Sequence, residues 1–85
     1  MYRIIFKSPA EKFFRKLDNL IQQRIFKKLK KLKENPRLGK PLTATLAGLW
    51  SLRIDKYRVI YKIIENKLII IVLNINHRKD VYGRI

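Results

Sequence analysis

Arg53, Arg58, His77, Arg78 and Tyr82 are the residues whose types and spacing point to chemistry in this chain. Guanidinium, imidazole and phenol groups can hold a phosphodiester and move protons around it. His77, Arg78 and Tyr82 arrive together at the end of an apolar run, where a strand can aim them. One histidine, no cysteine and six acidic residues supply neither zinc-ligand spacing nor a carboxylate pair for magnesium. The expectation is therefore chemistry without a metal or other cofactor. RNA permits that, because its own 2′-hydroxyl can be the nucleophile. The reaction then needs a base near that hydroxyl, cations on the phosphorane and an acid for the leaving 5′-oxygen. Arginine stays protonated and suits charge stabilisation alone. Tyr82, His77 and Lys56 are the groups able to transfer a proton, and a cationic surround lowers a tyrosine's pKa. Each has a bland alternative: a hydrogen-bonded structural histidine, or a tyrosine anchored in the core.

Four segments must position these groups. Tyr2 to Lys7 reads as a strand. Ser8-Pro9-Ala10-Glu11 then reads as a capping box, with Ser8 as N-cap and Pro9 where its missing N–H costs nothing. Phe13, Phe14, Leu17, Ile21, Ile25, Leu29 and Leu32 form a helical apolar stripe, broken at Asp18-Asn19, with Asp18 capping the second helix. Asn35-Pro36 ends it, and Pro36 to Gly48 reads as a loop. Strands follow at about Leu49–Ile54, Tyr57–Ile64 and Leu68–Ile75, with turns at Asp55-Lys56 and Glu65-Asn66-Lys67. Turns this short require an antiparallel meander. The order β-α-α-β-β-β predicts a single α+β domain over residues 1–85, with two layers: an antiparallel sheet and a helical hairpin packed on one face. A symmetric turn about Asp55-Lys56 makes Arg53 and Arg58 direct cross-strand neighbours. Like charges so placed cost stability. Either an anion sits between them, or they splay into water, or Asp55 or Asp80 neutralises them. Trp50, Leu52 and Ile54 alternate with Ser51 and Arg53, giving one buried and one wetter face. Trp50, Tyr57 and Tyr61 are candidates to stack on bases, although Trp50 and Tyr61 lie on the apolar face and read better as core.

Charge names the class of partner. Twenty-one Lys and Arg against six Asp and Glu leave a net charge of +15. Such a field draws polyanions, with nucleic acid first, an acidic protein second and an anionic membrane third. Lys27, Lys28, Lys30 and Lys31, with Lys56 and Lys79, are the candidates for RNA or ribosome contact. Individually they read as a solvated face, but almost no acids are interleaved to neutralise them. The longest apolar run, Leu68 to Leu73, is too short to cross a bilayer. With no signal peptide at the N-terminus, the expected location is the cytoplasm.

Leu49-Trp50-Ser51-Leu52-Arg53-Ile54, Tyr57-Arg58-Val59-Ile60-Tyr61 and His77-Arg78-Lys79-Asp80-Val81-Tyr82 resemble the RelE/ParE superfamily of bacterial and archaeal toxins. The segment from Tyr2 to Pro36 fits as well. The ending is closer to the RelE side than to the gyrase-poisoning ParE side. The resemblance implies a type II toxin that enters the ribosomal A site and cleaves mRNA, leaving a cyclic phosphate and a 5′-hydroxyl. It also implies a RelB-like antitoxin, encoded alongside and expected to be acidic. By position, Arg58, Arg78 and Tyr82 match catalytic residues of the family. Arg53 stands where one family lysine is expected, and Ser51 where another is. That departure leaves the chemical step slower than binding, or assigns it to Lys56 or His77. Two rival readings are a ParE-like gyrase inhibitor without nuclease activity and a non-catalytic RNA-binding protein.

Overall fold

A computed structural model describes residues 1–77. The first strand, β1 (Arg3–Phe6), leads directly into α1 (Ser8–Arg15). The capping box is not formed. Lys7 occupies the N-cap position with extended backbone, and no side chain caps the helix. The cause lies in the sheet. The Lys7 amide bonds to the Val72 carbonyl at 2.9 Å, while its own carbonyl accepts from the Glu11 amide at 2.9 Å. The chain thus passes from strand to helix one residue earlier than the motif suggests, with Pro9 inside the first turn. Glu11 turns instead to Arg15, one helical turn on, at 3.2 Å.

The break at Asp18 is present, and α2 spans Asn19–Glu34. Asp18 is its N-cap by position, but only its carbonyl is engaged, accepting from the Gln22 amide at 2.9 Å. Ile25, Leu29 and Leu32 of the apolar stripe are fully buried, while Phe13, Phe14, Leu17 and Ile21 pack around them. Burying each such aliphatic side chain stabilises the fold by roughly 1.5–3 kcal/mol.

The segment expected to be wholly loop contains a further strand, β2 (Lys40–Pro41). Pro41 is tolerated because β2 lies at a sheet edge. Beyond it run β3 (Trp50–Ile54), β4 (Tyr57–Ile64) and β5 (Ile69–His77), close to the expected boundaries. The strand order is β1-β5-β4-β3-β2. The β3-β4-β5 meander is antiparallel as expected, but β1 joins β5 in parallel, so the whole sheet is mixed rather than antiparallel. Both helices cover one face. Leu52, Ile54, Tyr57, Val59, Tyr61, Ile70, Val72 and Ile75 meet them there.

One irregularity sets the orientation of the far end of β5. Ile60 pairs with Asn74 and Tyr61 with Val72, leaving Leu73 as an extra residue. Side chains alternate along a strand, so one inserted residue exchanges the two faces beyond it. Ile70 and Val72 point to the helices before the bulge, and Ile75 does so after it. Asn74 and Asn76 consequently fall on the other face.

Candidate nucleic-acid interface

The sheet face away from the helices carries the candidate site. Arg53 on β3 and Arg58 on β4 are direct partners, and Arg58 is in turn partnered by Asn76 on β5. The turn that pairs them is held by Asp55 in the left-handed region (φ +54°), a conformation Asp adopts more readily than most residues. Direct partners in an antiparallel ladder hold their Cβ atoms about 4.5–5.5 Å apart on one face. Arg53 is exposed, whereas Nε and Nη1 of Arg58 are shielded from solvent. The Arg58 guanidinium is therefore the inner of the two and that of Arg53 the outer.

These arginines line an open cleft of about 340 Å³ with Lys28, Leu38, Gly39, Lys40, Ser51 and Leu52. Among the described residues its walls hold four cations and no carboxylate. A neighbouring cleft of about 220 Å³ shares Lys28 and Arg53 and adds Arg24, Lys27, Lys31, Ile54 and Asp55. Asp55, one of the two acids expected to quiet the arginine pair, is bound to Arg24 at 3.2 Å and so directed at the helix instead. The two clefts form one cationic track from α2 around the edge of β3 and onto the sheet. Field lines focused in such a groove raise the local concentration of a polyanion and speed its capture.

The lysines of α2 divide. Lys27, Lys28 and Lys31 face the track. Lys30 lies with Arg3, Ile4, Phe6 and Lys33 around a separate cavity near β1, its amine 5.7 Å from the centre of the Phe26 ring. Lys56 is exposed in the β3–β4 turn. Arg78, Lys79, Asp80 and Tyr82 lie outside the described residues.

His77 does not join the arginines. Its cross-strand partner is Tyr57, a core residue of the helix-covered face. The rings of Tyr57 and Phe13 pack against it at centroid distances of 5.0 and 6.2 Å. Alternation from Ile75 carries this signal in the sequence itself. Tyr57 and Tyr61 are buried, and Trp50 stacks on Tyr61 at 6.3 Å, so these three aromatic rings serve packing.

Two features escaped the sequence. Ser51 is buried at 7% exposure although it stands on the face expected to be wetter. Lys40 is its direct partner from β2 and forms part of the cleft lining. The backbone carrying Lys40 is pinned from below. The Tyr61 hydroxyl donates to the Pro36 carbonyl at 2.7 Å and accepts from the Gly39 amide at 3.1 Å. Burial raises the Tyr61 pKa above the ordinary phenol value, with the Gly39 hydrogen bond opposing it. Gly39 permits the close approach, since a Cβ there would lie 2.4 Å from the Ser51 carbonyl oxygen.

Known proteins share the sequence pattern and the fold. Residues 4–82 match the family model of the ParE toxin of the parDE type II toxin–antitoxin system. A RelE-like toxin protein of Escherichia coli is 38% identical over 89 residues, covering 96% of this chain and 90% of the relative. The mRNA interferase toxin RelE of Escherichia coli strain K12 is 28% identical over 86 residues, with the same coverage of 96% and 90%. Among solved structures, a chain of the RelBE2 toxin–antitoxin complex of Mycobacterium tuberculosis superposes with a TM-score of 0.82 at 32% identity, covering 91% of this chain and 98% of that one.

Proposed function

The chain belongs to the RelE/ParE superfamily of type II toxins, and from that premise we propose that it is an endoribonuclease that stops translation by cutting mRNA on the ribosome. The observation that carries the reading is the Arg53–Arg58 pair, set on the helix-free face in a cleft whose lining, among the described residues, holds no acid. A phosphodiester placed between two facing guanidiniums accepts charge-assisted hydrogen bonds from both sides and offsets the cost of setting like charges directly opposite. In the proposed reaction the 2′-oxygen attacks phosphorus, giving up its proton to a base. The bond to the 5′-oxygen then breaks, and that oxygen takes a proton from an acid. A cyclic phosphate and a 5′-hydroxyl remain, with no metal required. Arg53 and Arg58 neutralise the charge that builds on the phosphorane oxygens. Arg78 and Tyr82 complete the proposed site as a further cation and the acid or base. His77, packed against Phe13 and Tyr57, supports the end of β5 rather than the proton transfer.

The Lys27, Lys28 and Lys31 side of the track is the proposed contact with ribosomal RNA. The partner in the resting cell is an acidic, RelB-like antitoxin, which relieves the self-repulsion of a chain carrying +15. Largely exposed Leu20 and Phe26 on α2 offer that partner apolar anchors.

The decisive experiment maps mRNA 5′ ends in cells after induction. Wild type is expected to create new ends and arrest growth, and the combined Arg58→Ala, Arg78→Ala variant to do neither. Full toxicity in that variant refutes the site. The ParE description of the matched family model keeps a gyrase-directed reading in view. Inhibited supercoiling with intact mRNA would establish it in place of cleavage.

A further inference from the structure

Cross-strand partners on the helix-free face form two rows. One is Arg53, Arg58 and Asn76; the next is Lys40, Ser51, Ile60 and Asn74. Successive rows on one face lie about 7 Å apart, two strand residues along. That interval is close to the phosphate repeat of an extended single strand. In the second row Ser51 and Ile60 form a buried, uncharged floor. Lys40, at its edge, is the row's cation.

Lys40 combines a free head with a fixed root. It is exposed, and the three ion pairs among the described residues do not include it. Its backbone is held by pairing to Ser51, by the Tyr61 hydroxyl on the preceding Gly39, and by the Leu42 amide on the Leu49 carbonyl at 2.8 Å. The backbone that carries this amine is therefore already ordered when it meets an anion.

We propose that Lys40 is a substrate-contacting residue that binds the phosphate adjacent to the one held between Arg53 and Arg58. The cleft thereby grips two consecutive phosphates of a single strand. This rests on the RNA-directed reading above. It also accounts for Ser51: a lysine reaching in from β2 supplies a cation over the position where β3 carries a hydroxyl. The contact is one of charge and not of proton transfer, so arginine should serve in its place.

The test uses the full-length toxin and two measurements. The first is binding to a fully 2′-O-methylated single-stranded RNA, which cannot be cut, over a range of salt. Lys40→Ala should bind about tenfold more weakly at low salt. Its log–log salt slope should be shallower by about 0.7, because one fewer phosphate of the single strand is neutralised. Lys40→Arg should keep both near wild type. The second is cleavage of mRNA on programmed ribosomes, where Lys40→Ala should raise KM about tenfold with kcat within about twofold. An unchanged salt slope overturns the proposal. So does a fall in kcat at constant KM, or failure of arginine to restore binding, either of which assigns Lys40 another role. Because Lys40 is exposed, the variants should melt with wild type. Arg58→Ala, run in parallel, separates the two claims. Undiminished cleavage by that variant defeats the nuclease site, while the salt slope still decides the fate of Lys40.

Discussion

Replacing Tyr61 with Phe removes one oxygen from the core and tests how the cationic cleft is held. The ring stays, so the stack on Trp50 and the packing against the helices are kept. Two hydrogen bonds disappear. The buried Pro36 carbonyl is deprived of its 2.7 Å donor, and the part-buried Gly39 amide of its 3.1 Å acceptor. A buried polar group left unsatisfied costs about 1–3 kcal/mol. With Gly39 nearer water and at the low end of that range, the sum is about 2–4 kcal/mol. A domain of this size has roughly 4–13 kcal/mol in total, and each kcal/mol moves Tm by about 4–8 °C. Thermal unfolding followed by circular dichroism should therefore show Tm lowered by roughly 8–32 °C. The pH dependence supplies an independent check. The folded pKa of Tyr61 is raised above its unfolded value of about 10, chiefly by burial. Its contribution is thus complete below pH ~10 and is lost as pH rises through the folded value. Urea unfolding free energies of wild type and variant should differ by a constant amount at neutral pH and converge above pH ~10. A Tm within 3 °C of wild type, roughly half a kcal/mol, or a gap that persists at high alkalinity, refutes the assignment of Tyr61 as the clasp.

Two further substitutions probe neighbouring features. Gly39→Ala sets a Cβ 2.4 Å from the Ser51 carbonyl oxygen and 2.8 Å from the Tyr61 hydroxyl. The strand must yield, at about 1–3 kcal/mol, and RNA affinity measured by fluorescence anisotropy should fall to the level of Lys40→Ala. Deleting Leu73 removes the extra residue of β5 and joins Val72 directly to Asn74, so the Tyr61–Val72 and Ile60–Asn74 pairs continue without a break and Ile75 keeps its inward face. The deletion variant should therefore remain folded by circular dichroism, with urea unfolding within about 1–3 kcal/mol of wild type, and loss of most of the domain's stability would refute the reading of Leu73 as an inserted residue.

The parts of the fold legible in the sequence are those with long, unambiguous periods. The stripe through Ile25, Leu29 and Leu32 identifies α2 because each residue repeats the same face. The arginine pair is legible for a different reason. Any symmetric turn about Asp55-Lys56 aligns Arg53 with Arg58, so the register does not depend on the turn's conformation. β2 carries no such signal. Two residues, one of them proline, have no period and pair only because Tyr61 and Gly39 bring them to Ser51. The parallel docking of β1 is equally silent, since an alternation pattern names a buried face but not a neighbour.

The Leu73 bulge explains why the site is harder to read than the strands that carry it. From Ile69 to Leu73 every side chain is apolar, so the run has no phase and cannot reveal an inserted residue. Only past Asn74 does alternation resume, with Ile75 inward and Asn76 beside Arg58. A strand continuous in phase would have put Asn74 and Asn76 against the helices, where two buried amides need partners the apolar core does not offer. The bulge keeps both halves of β5 apolar toward α1 and α2. It also turns a polar row toward the arginines. His77 follows from the same parity: the inserted residue that sets Asn76 beside Arg58 assigns the next position to the aromatic cluster of Phe13 and Tyr57. The imidazole most suggestive of catalysis in the sequence is placed on the opposite face by the same register that assembles the cationic site.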